Sequence, residues 1–395
     1  MKSNIKRKFY TYDCQLIPLT PIQIGSGEEL FPYNYVVKNK KYYRIDINDV
    51  IDNFSDETKK EFLRILESKS ESIDTVKIRT FINKNYNKGY GYLYQLEVDT
   101  EFLRKYESKI SGSKSNEENN LSVKEFIGGN EGKYIPGSSI KGALRTAFLS
   151  SKMTLKQKYK LDRNKRVKTS PFVLMVSDST PKKEGDTREA RLLGLVKLEP
   201  KFDPFKQMTV TDTNCDRENF IVAEMKRIGE KKKGRKTEFP MGFSEVTKSK
   251  LGGDKEFSFN FQLTMKEPEI LIDTWKELSK ANRQGENEVP VIEKLVKIET
   301  EELIDALNNK AKKMIASDKV AFRAYDNREG EYACELLEKE LEKLKENEAL
   351  IRIGKGAGFN STTFNLYNTC CLVHTRVVAS KLPVGWAKIV FNEVK

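Results

Sequence analysis

The chain has 395 residues, of which 38% are hydrophobic and 10% aromatic, a composition that excludes an intrinsically disordered protein and allows about two domains. Lysine and arginine outnumber aspartate and glutamate by 71 to 58, and the formal charge of +13 favours a polyanionic partner, either nucleic acid or an acidic membrane surface. The five cysteines include no C-x-x-C pair, which excludes a zinc site and a disulfide framework. We therefore expect a cytoplasmic protein, and with no run of about 18 apolar residues we expect no membrane span.

The first third of the chain predicts strands, a hairpin and one helix. Ser55 is the predicted N-cap of a helix over 57–67, with Phe62, Ile65 and Leu66 facing inward. The polar segment 108–120 predicts a loop. Strand patterns occur at 9–19, at 22–24 before a glycine turn, at 33–37 and 42–47 as the arms of a hairpin, and at 90–98.

The middle third concentrates the positive charge. Ten basic residues and one acid lie in 141–168, a local charge of +9, and 226–236 holds seven basic residues and one acid. A phosphate-binding surface needs such localised charge, because each neutralised phosphate releases condensed counterions. The predicted elements here are a helix from residue 136, a mobile basic loop at 156–168, strands at 172–176, 191–198 and 208–213, and a loop tip at 227–236.

The last third begins with the clearest strand pattern of the chain, at 257–264. Helical spacing follows at 291–307 and at 332–345, and a closing strand is predicted at 386–390. Strands interspersed with helices along the whole length indicate an α+β fold. We place a domain boundary near residue 215, which gives two units, 1–215 and 216–395.

The segment 134–148 (YIPGSSIKGALRTAF) carries the most informative pattern. A proline and a glycine end the preceding strand, and Ser138 or Ser139 can cap the helix that follows. Lys141 and Arg145 are four residues apart and project together, close to the free amides of the helix start, so that the three features form an anion site. This pattern fits a phosphodiester, and it fits equally an ordinary amphipathic helix with solvated basic residues.

The segment 353–359 (IGKGAGF) is a second candidate anion site. Its three glycines let backbone amides approach a phosphate without a Cβ, and Lys355 adds a charge. It lacks the Gly-Lys-Ser/Thr of a Walker A motif and is one residue short of G-x-G-x-x-G, so no nucleotide cofactor is expected. The alternative is a tight turn that contacts no ligand.

Three segments resemble the RAMP superfamily of CRISPR effector subunits. The run 135–145 is similar to the signature helix start of that superfamily, 19–27 (LTPIQIGSG) to its first strand and glycine turn, and 353–359 to its C-terminal glycine-rich loop. The length and order of the segments, together with 45–47 and 176–179, are most similar to the fifth-subunit branch of the type III-A Csm complex.

The resemblance implies two RRM-like (ferredoxin-like) units with insertions and a non-catalytic RNA-binding subunit. It also implies binding of guide RNA (crRNA) toward its 3′ end, a contribution to guide RNA maturation and antiviral defence, target RNA in the assembled complex, and contact with other Csm subunits, above all the repeated backbone subunit. No cofactor and no metal are expected. The predicted RNA-binding residues are Gly137, Ser138, Ser139, Lys141, Arg145, Lys152, Lys165, Arg166, Gly354, Lys355, Gly356 and Gly358.

Catalysis is not expected, and two other functions stay open. The backbone subunits of such complexes cut target RNA with an aspartate after the first glycine turn, whereas Glu28 and Glu29 follow that turn here. One alternative is a RAMP endoribonuclease that processes guide RNA. It would need His374, the single histidine, whose neighbours alternate like a buried strand. The other alternative is a basic scaffold protein that binds proteins and no RNA.

Overall fold

A computed structural model describes residues 9–67, 75–110, 121–129, 131–152, 189–190, 192–195, 200–230, 236–266, 296–356 and 375–394. Several predictions lie outside this part of the chain: most of the loop at 108–120, the basic loop at 156–168, the strand at 172–176, His374, and the candidate RNA contacts Lys165, Arg166 and Gly358.

The described residues form sixteen strands. They are β1 (Phe9–Pro18), β2 (Gly25–Leu30), β3 (Tyr35–Lys38), β4 (Lys41–Arg44), β5 (Tyr94–Val98), β6 (Val123–Phe126), β7 (Gly128–Gly129), β8 (Gly132–Lys133), β9 (Met208–Val210), β10 (Phe220–Glu230), β11 (Lys236–Thr247), β12 (Phe259–Lys266), β13 (Glu348–Arg352), β14 (Thr375–Ala379), β15 (Leu382–Pro383) and β16 (Trp386–Glu393).

The same residues form seven α-helices. They are α1 (Ile47–Asp52), α2 (Asp56–Leu66), α3 (Thr75–Asn85), α4 (Thr100–Lys109), α5 (Gly137–Ser151), α6 (Thr300–Ala324) and α7 (Arg328–Glu342). The architecture is therefore α+β, as predicted.

Elements that local sequence determines lie where they were predicted. The turn between β3 and β4 consists of Asn39 and Lys40, whose φ angles of 50° and 60° are the positive values that a two-residue hairpin turn requires. Ser55 caps α2, and its hydroxyl accepts the Thr58 N–H at 3.2 Å. The strand patterns at 9–19, 257–264 and 386–390 correspond to β1, β12 and β16.

Other boundaries were predicted wrongly because distant partners determine them. The stretch 22–24 is not a strand, since the Ile22 N–H donates to the Thr247 hydroxyl instead of a ladder partner, and β2 begins after it. Residues 227–230 continue β10 because pairing with β11 and β14 extends that far. Within the described part of the helix predicted at 291–307, helical structure begins at Thr300, and of the strand predicted at 191–198 the described residues 192–194 form the end of a helical turn.

The first strand of the chain lies in the middle of a five-stranded sheet with the order β13-β16-β1-β12-β9. Every pairing in this sheet is antiparallel. Cys14 of β1 faces Phe261 of β12 on one side and Phe391 of β16 on the other. The N-terminal strand is thus held between strands from the C-terminal half of the chain.

A nine-stranded sheet follows the order β2-β6-β11-β10-β5-β4-β3, and β14 joins it through β10 and carries β15. The pairs β10–β5 and β11–β6 are parallel, and the other pairs are antiparallel. Both sheets take strands from the two sides of Cys215, so the predicted boundary at that residue does not separate one sheet from the other.

The largest cluster of buried side chains contains residues of both sheets and of α4 and α5. Two of the smaller clusters involve the remaining helices. One joins α1, α2 and α3 to β3 and β4, and it buries Phe62, whereas Leu66 of α2 is 44% exposed, contrary to the prediction. The other joins α6 and α7 to β13, β14 and β16 around the buried Trp386. Burial of each large apolar side chain contributes about 1.5–3 kcal/mol to the stability of the fold. These clusters therefore fix α5 and α6 against the sheets.

Candidate nucleic-acid interface

The glycine loop leaves the end of β13 and crosses another backbone segment at close range. Gly354 and Gly356 have φ angles of 79° and 83°, the left-handed conformation that favours glycine. The Lys355 N–H donates to the Gln23 carbonyl oxygen at 2.7 Å. A Cβ at Gly354 would overlap that same oxygen, so glycine is what permits this contact. The loop is therefore bonded directly to the segment that precedes the first glycine turn.

The signature helix α5 reaches the same loop. Ser139, Gly142 and Ala143 of α5 line a cavity of about 150 Å³ together with Ile353 and Gly354. The three segments that carry the family resemblance, near residues 20, 140 and 355, thus meet at one place in the fold. The sequence placed them more than a hundred residues apart, and strand pairing brings them together.

The start of α5 is capped from a distance. The Gly137 N–H donates to Asp212 Oδ1 at 2.7 Å, whereas Ser138 is exposed, Ser139 is half-buried, and neither side chain caps the helix. The predicted serine cap is therefore wrong, because the carboxylate that follows β9 lies close enough to take the amide. This amide is not free to bind a phosphate.

Lys141 of α5 and Lys152 directly after it both bond to other parts of the protein. The Lys141 ammonium donates to the Met208 carbonyl oxygen at 2.8 Å, and burial lowers the pKa of Lys141. Lys152 forms an ion pair with Glu302 at the start of α6. In this arrangement both side chains connect α5 to its neighbours instead of extending freely into solvent.

Arg145 binds two carboxylates. Its guanidinium donates to Glu189 at 2.6 Å and to both oxygens of Asp203 at 2.8 and 2.6 Å, and it lies 5.0 Å from the centre of the Phe205 ring. Burial acts to lower the pKa of Arg145, but the bonds and charges of Asp203 and Glu189 outweigh it and raise that pKa. A guanidinium held in this way fixes α5 to the following segments, and a phosphate would have to displace a carboxylate to reach it.

A pair of lysines lies beside the glycine loop. Burial lowers the pKa of Lys355, and the charge of Lys124 on β6 lies near enough to lower it further, while Glu29 acts more weakly in the opposite direction. Within the described part of the chain, neither lysine has a carboxylate at ion-pair distance. Two neighbouring lysine charges beside a half-buried glycine turn form a site that favours an anion.

A buried charge cluster supports the loop from the protein interior. Asp318 of α6 accepts a hydrogen bond at its Oδ2 from Nη1 of Arg352, at the end of β13, over 2.7 Å. Its Oδ1 pairs with Arg376 of β14. Arg352 donates to the Val384 carbonyl oxygen at 3.1 Å and lies over the Trp386 ring. The strand that leads into the glycine loop is thereby bonded to α6 and to both sheets.

The sequence reasoning missed Lys124, Asp212 and the Asp318 cluster. Lys124 stands in a short alternating strand that resembles any half-exposed strand, and Asp212 lies in a polar segment without a helix of its own. One feature of the sequence could have pointed to the Asp318 cluster. Arg352 stands in the strand pattern that leads into the glycine loop, and an arginine buried there requires a counter-charge elsewhere in the chain.

The glutamates after the first glycine turn lie near the lysine pair. Glu29 Oε1 accepts a hydrogen bond from the Ser122 hydroxyl at 2.6 Å, while Glu28 is exposed.

Among the residues with described coordinates, no group of three or more histidines, cysteines, aspartates or glutamates could hold a metal ion. No described helix is both long enough and apolar enough to cross a membrane.

Comparison with protein families gives a match to the RAMP superfamily over residues 15–361. A Methanocaldococcus jannaschii protein named "CRISPR system Cms protein Csm5" is 28% identical over 253 residues, which are 63% of this chain and 51% of that protein. A Streptococcus thermophilus protein of the same name is 27% identical over 154 residues, 37% of this chain and 40% of that protein. The matched region thus spans about half the length of these relatives or less.

Two solved structures share the fold. One is a chain of a type III-A Csm–crRNA–target RNA ternary complex, with a TM-score of 0.63, 18% identity, and coverage of 96% of this chain and 100% of that one. The other is the crystal structure of T. onnurineus Csm5, with a TM-score of 0.58, 20% identity, and coverage of 95% and 99%. These likenesses over nearly the full length agree with the predicted α+β fold of ferredoxin-like units.

Proposed function

The chain belongs to the RAMP superfamily, and we propose that it is a non-catalytic RNA-binding subunit of a type III-A CRISPR (Csm) complex. One observation carries this proposal: the three family segments meet at the glycine loop, beside the unneutralised ammonium groups of Lys124 and Lys355. A phosphate backbone is bound by amides and cations such as these, and binding of this kind does not depend on the base sequence.

In this proposal the guide-strand phosphates contact the ammonium groups of Lys355 and Lys124 and the backbone at Gly354 and Gly356, while the Lys355 amide stays bonded to Gln23. Lys141, Arg145 and Lys152 act indirectly in this proposal, because their bonds to Met208, Glu189, Asp203 and Glu302 fix the position of α5. Ser138 and Ser139, together with Lys165, Arg166 and Gly358, remain proposed RNA contacts.

The partners follow from the relatives. Proteins named Csm5 are similar to this chain, and the similar chain of known structure belongs to a complex that contains crRNA and target RNA. We extend these partners to this chain: guide RNA bound toward its 3′ end, target RNA in the assembled complex, and the repeated backbone subunit as the main protein contact. A contribution to guide RNA maturation and antiviral defence belongs to the same proposal.

The proposed absence of catalysis depends on the first glycine turn. Glu28 and Glu29 follow that turn in place of an aspartate, and Glu29 Oε1 accepts a hydrogen bond from the Ser122 hydroxyl. The alternative, a guide-RNA endoribonuclease, would use His374 as its acid or base. Incubation of the wild type and His374→Ala with guide precursor RNA should give no cleavage by either, and cleavage that disappears in the variant would establish the alternative.

RNA binding itself is tested by the dependence of affinity on salt. Filter binding of the purified chain to single-stranded RNA from 50 to 300 mM salt should give a log-log slope of about −1.4 or steeper, since two phosphate contacts each contribute about −0.7. RNAs of unrelated sequence should bind with similar affinity. A slope near zero, or no binding, would instead favour the scaffold protein without RNA.

A further inference from the structure

The cavity between α5, α6 and the glycine loop contains a lysine without a counter-charge. Lys310 of α6 lines this cavity, and no carboxylate among the described residues lies at ion-pair distance from its ammonium. Burial lowers the pKa of Lys310 to about 8, so the side chain is still mainly charged at neutral pH. A charged ammonium in a partly closed site is costly unless a negative group accompanies it.

The remaining lining adds positive charge and hydrogen-bond donors. Arg352 lines the cavity and forms an ion pair with Asp318, which Arg376 also contacts. Two buried groups of lining residues, Arg352 Nη2 and Trp386 Nε1, have no hydrogen-bond partner in the described part of the chain. The ionisable residues facing Lys310 from α5, β13 and β16 therefore comprise this one arginine and no acid.

The size of the cavity restricts the ligand. A volume of about 150 Å³ is well below the roughly 300–1,000 Å³ of sites for drug-sized molecules, so a nucleotide does not fit while one tetrahedral oxyanion does. Ser139 of α5 lines the same space and offers a hydroxyl donor. We propose that this cavity binds one phosphate-type oxyanion through the Lys310 ammonium, with the Ser139 hydroxyl as a further donor and the charge of Arg352 nearby.

The cavity lies beneath the glycine loop and is distinct from the lysine pair beside it, so anion binding here is testable without RNA; only its assignment to an RNA phosphate rests on the proposed function. The oxyanion is either a free ion or a phosphodiester of a strand that lies on the loop. A sulfate ion is a suitable probe, since it keeps the same charge over the pH range in which Lys310 titrates.

The test is isothermal titration calorimetry of sulfate into the full-length chain at pH 7. We expect one site in the wild type and in Lys313→Met, an exposed lysine on the same helix, and at least tenfold weaker binding in Lys310→Met. Lys310→Arg should retain binding. No site in the wild type, or equal binding by Lys310→Met, would overturn the proposal.

A measurement on the wild type alone covers the case in which Lys310→Met does not fold. Because Lys310 loses its proton near pH 8, the affinity for sulfate should fall about tenfold between pH 7 and pH 9. An affinity independent of pH would contradict the assignment to Lys310. Sulfate binding that disappears in RNA-saturated protein identifies the oxyanion as an RNA phosphate, and sulfate binding that persists identifies it as a free ion.

Discussion

Replacing Asp318 with asparagine should destabilise the chain more than any other single change at the glycine loop. Asp318 is 2% exposed and is the shared counter-ion of Arg352 and Arg376, which are 7% and 5% exposed. Removing one member of a buried ion pair costs about 3–5 kcal/mol, because the other charge remains buried without compensation. Here two guanidinium groups lose their carboxylate, so we expect the free energy of unfolding to fall by about 4 kcal/mol or more. That is a large part of the free energy of unfolding of a typical domain, which is about 5–15 kcal/mol.

The assay is urea unfolding at pH 7, followed by circular dichroism, of Asp318→Asn beside two matched variants. Asp305→Asn changes an exposed aspartate of the same helix and should stay within about 0.5 kcal/mol of the wild type. Arg376→Met leaves Arg352 and Asp318 as a balanced pair, so its cost should be smaller than that of Asp318→Asn. If Asp318→Asn costs less than about 1 kcal/mol, or less than Arg376→Met, Asp318 is not the counter-ion that supports the loop.

Three further outcomes follow from the same contacts. Gly354→Ala should destabilise the chain by about 1–3 kcal/mol in urea unfolding, because its Cβ overlaps the Gln23 oxygen at a positive φ, whereas Gly142→Ala, at an open helical position, should be neutral or stabilising. Arg145→Glu should strongly lower the melting temperature rather than weaken RNA binding selectively, because it places a third carboxylate beside those of Glu189 and Asp203. An unchanged melting temperature would contradict this. For Lys310, the folded pKa of about 8 lies below the ordinary 10.5, so the unfolded chain binds more protons between these values and stability must rise with pH there. The wild type should therefore gain about 3 kcal/mol relative to Lys310→Met from pH 7.5 to pH 10.5, and a constant difference would refute the burial of this charge.

Local sequence was sufficient wherever the partners of a residue are its own neighbours. Ser55 caps the helix that begins next to it, and the turn residues Asn39 and Lys40 lie between the two strands that they connect. The alternation that predicted β1, β12 and β16 is a property of each strand alone. These elements could be predicted because a short range of the chain contains all of the interactions that determine them.

The site could be predicted only in part, because its partners come from distant positions. The glycine loop and the signature helix were recognisable as segments, but nothing in the sequence pairs Lys355 with Lys124 or Asp318 with Arg352. The same limit explains the wrong cap of α5, where Asp212 lies 75 residues from Gly137 and replaces the adjacent serines. Composition identified the cations, and only the tertiary structure separates those bound internally from those left without a partner.

If RNA crosses the glycine loop over Lys124 and Lys355, reversing these two charges should weaken binding, which filter binding of single-stranded RNA measures. The variant Lys124→Glu/Lys355→Glu is compared with Lys312→Glu/Lys313→Glu, which makes the same change of charge at exposed positions of α6. We predict at least a tenfold loss of affinity for the first variant, which corresponds to about 1.4 kcal/mol, a salt slope shallower by about 1.4, and little change for the second. Equal affinities for the two folded variants would contradict the claim and place the RNA elsewhere on the protein.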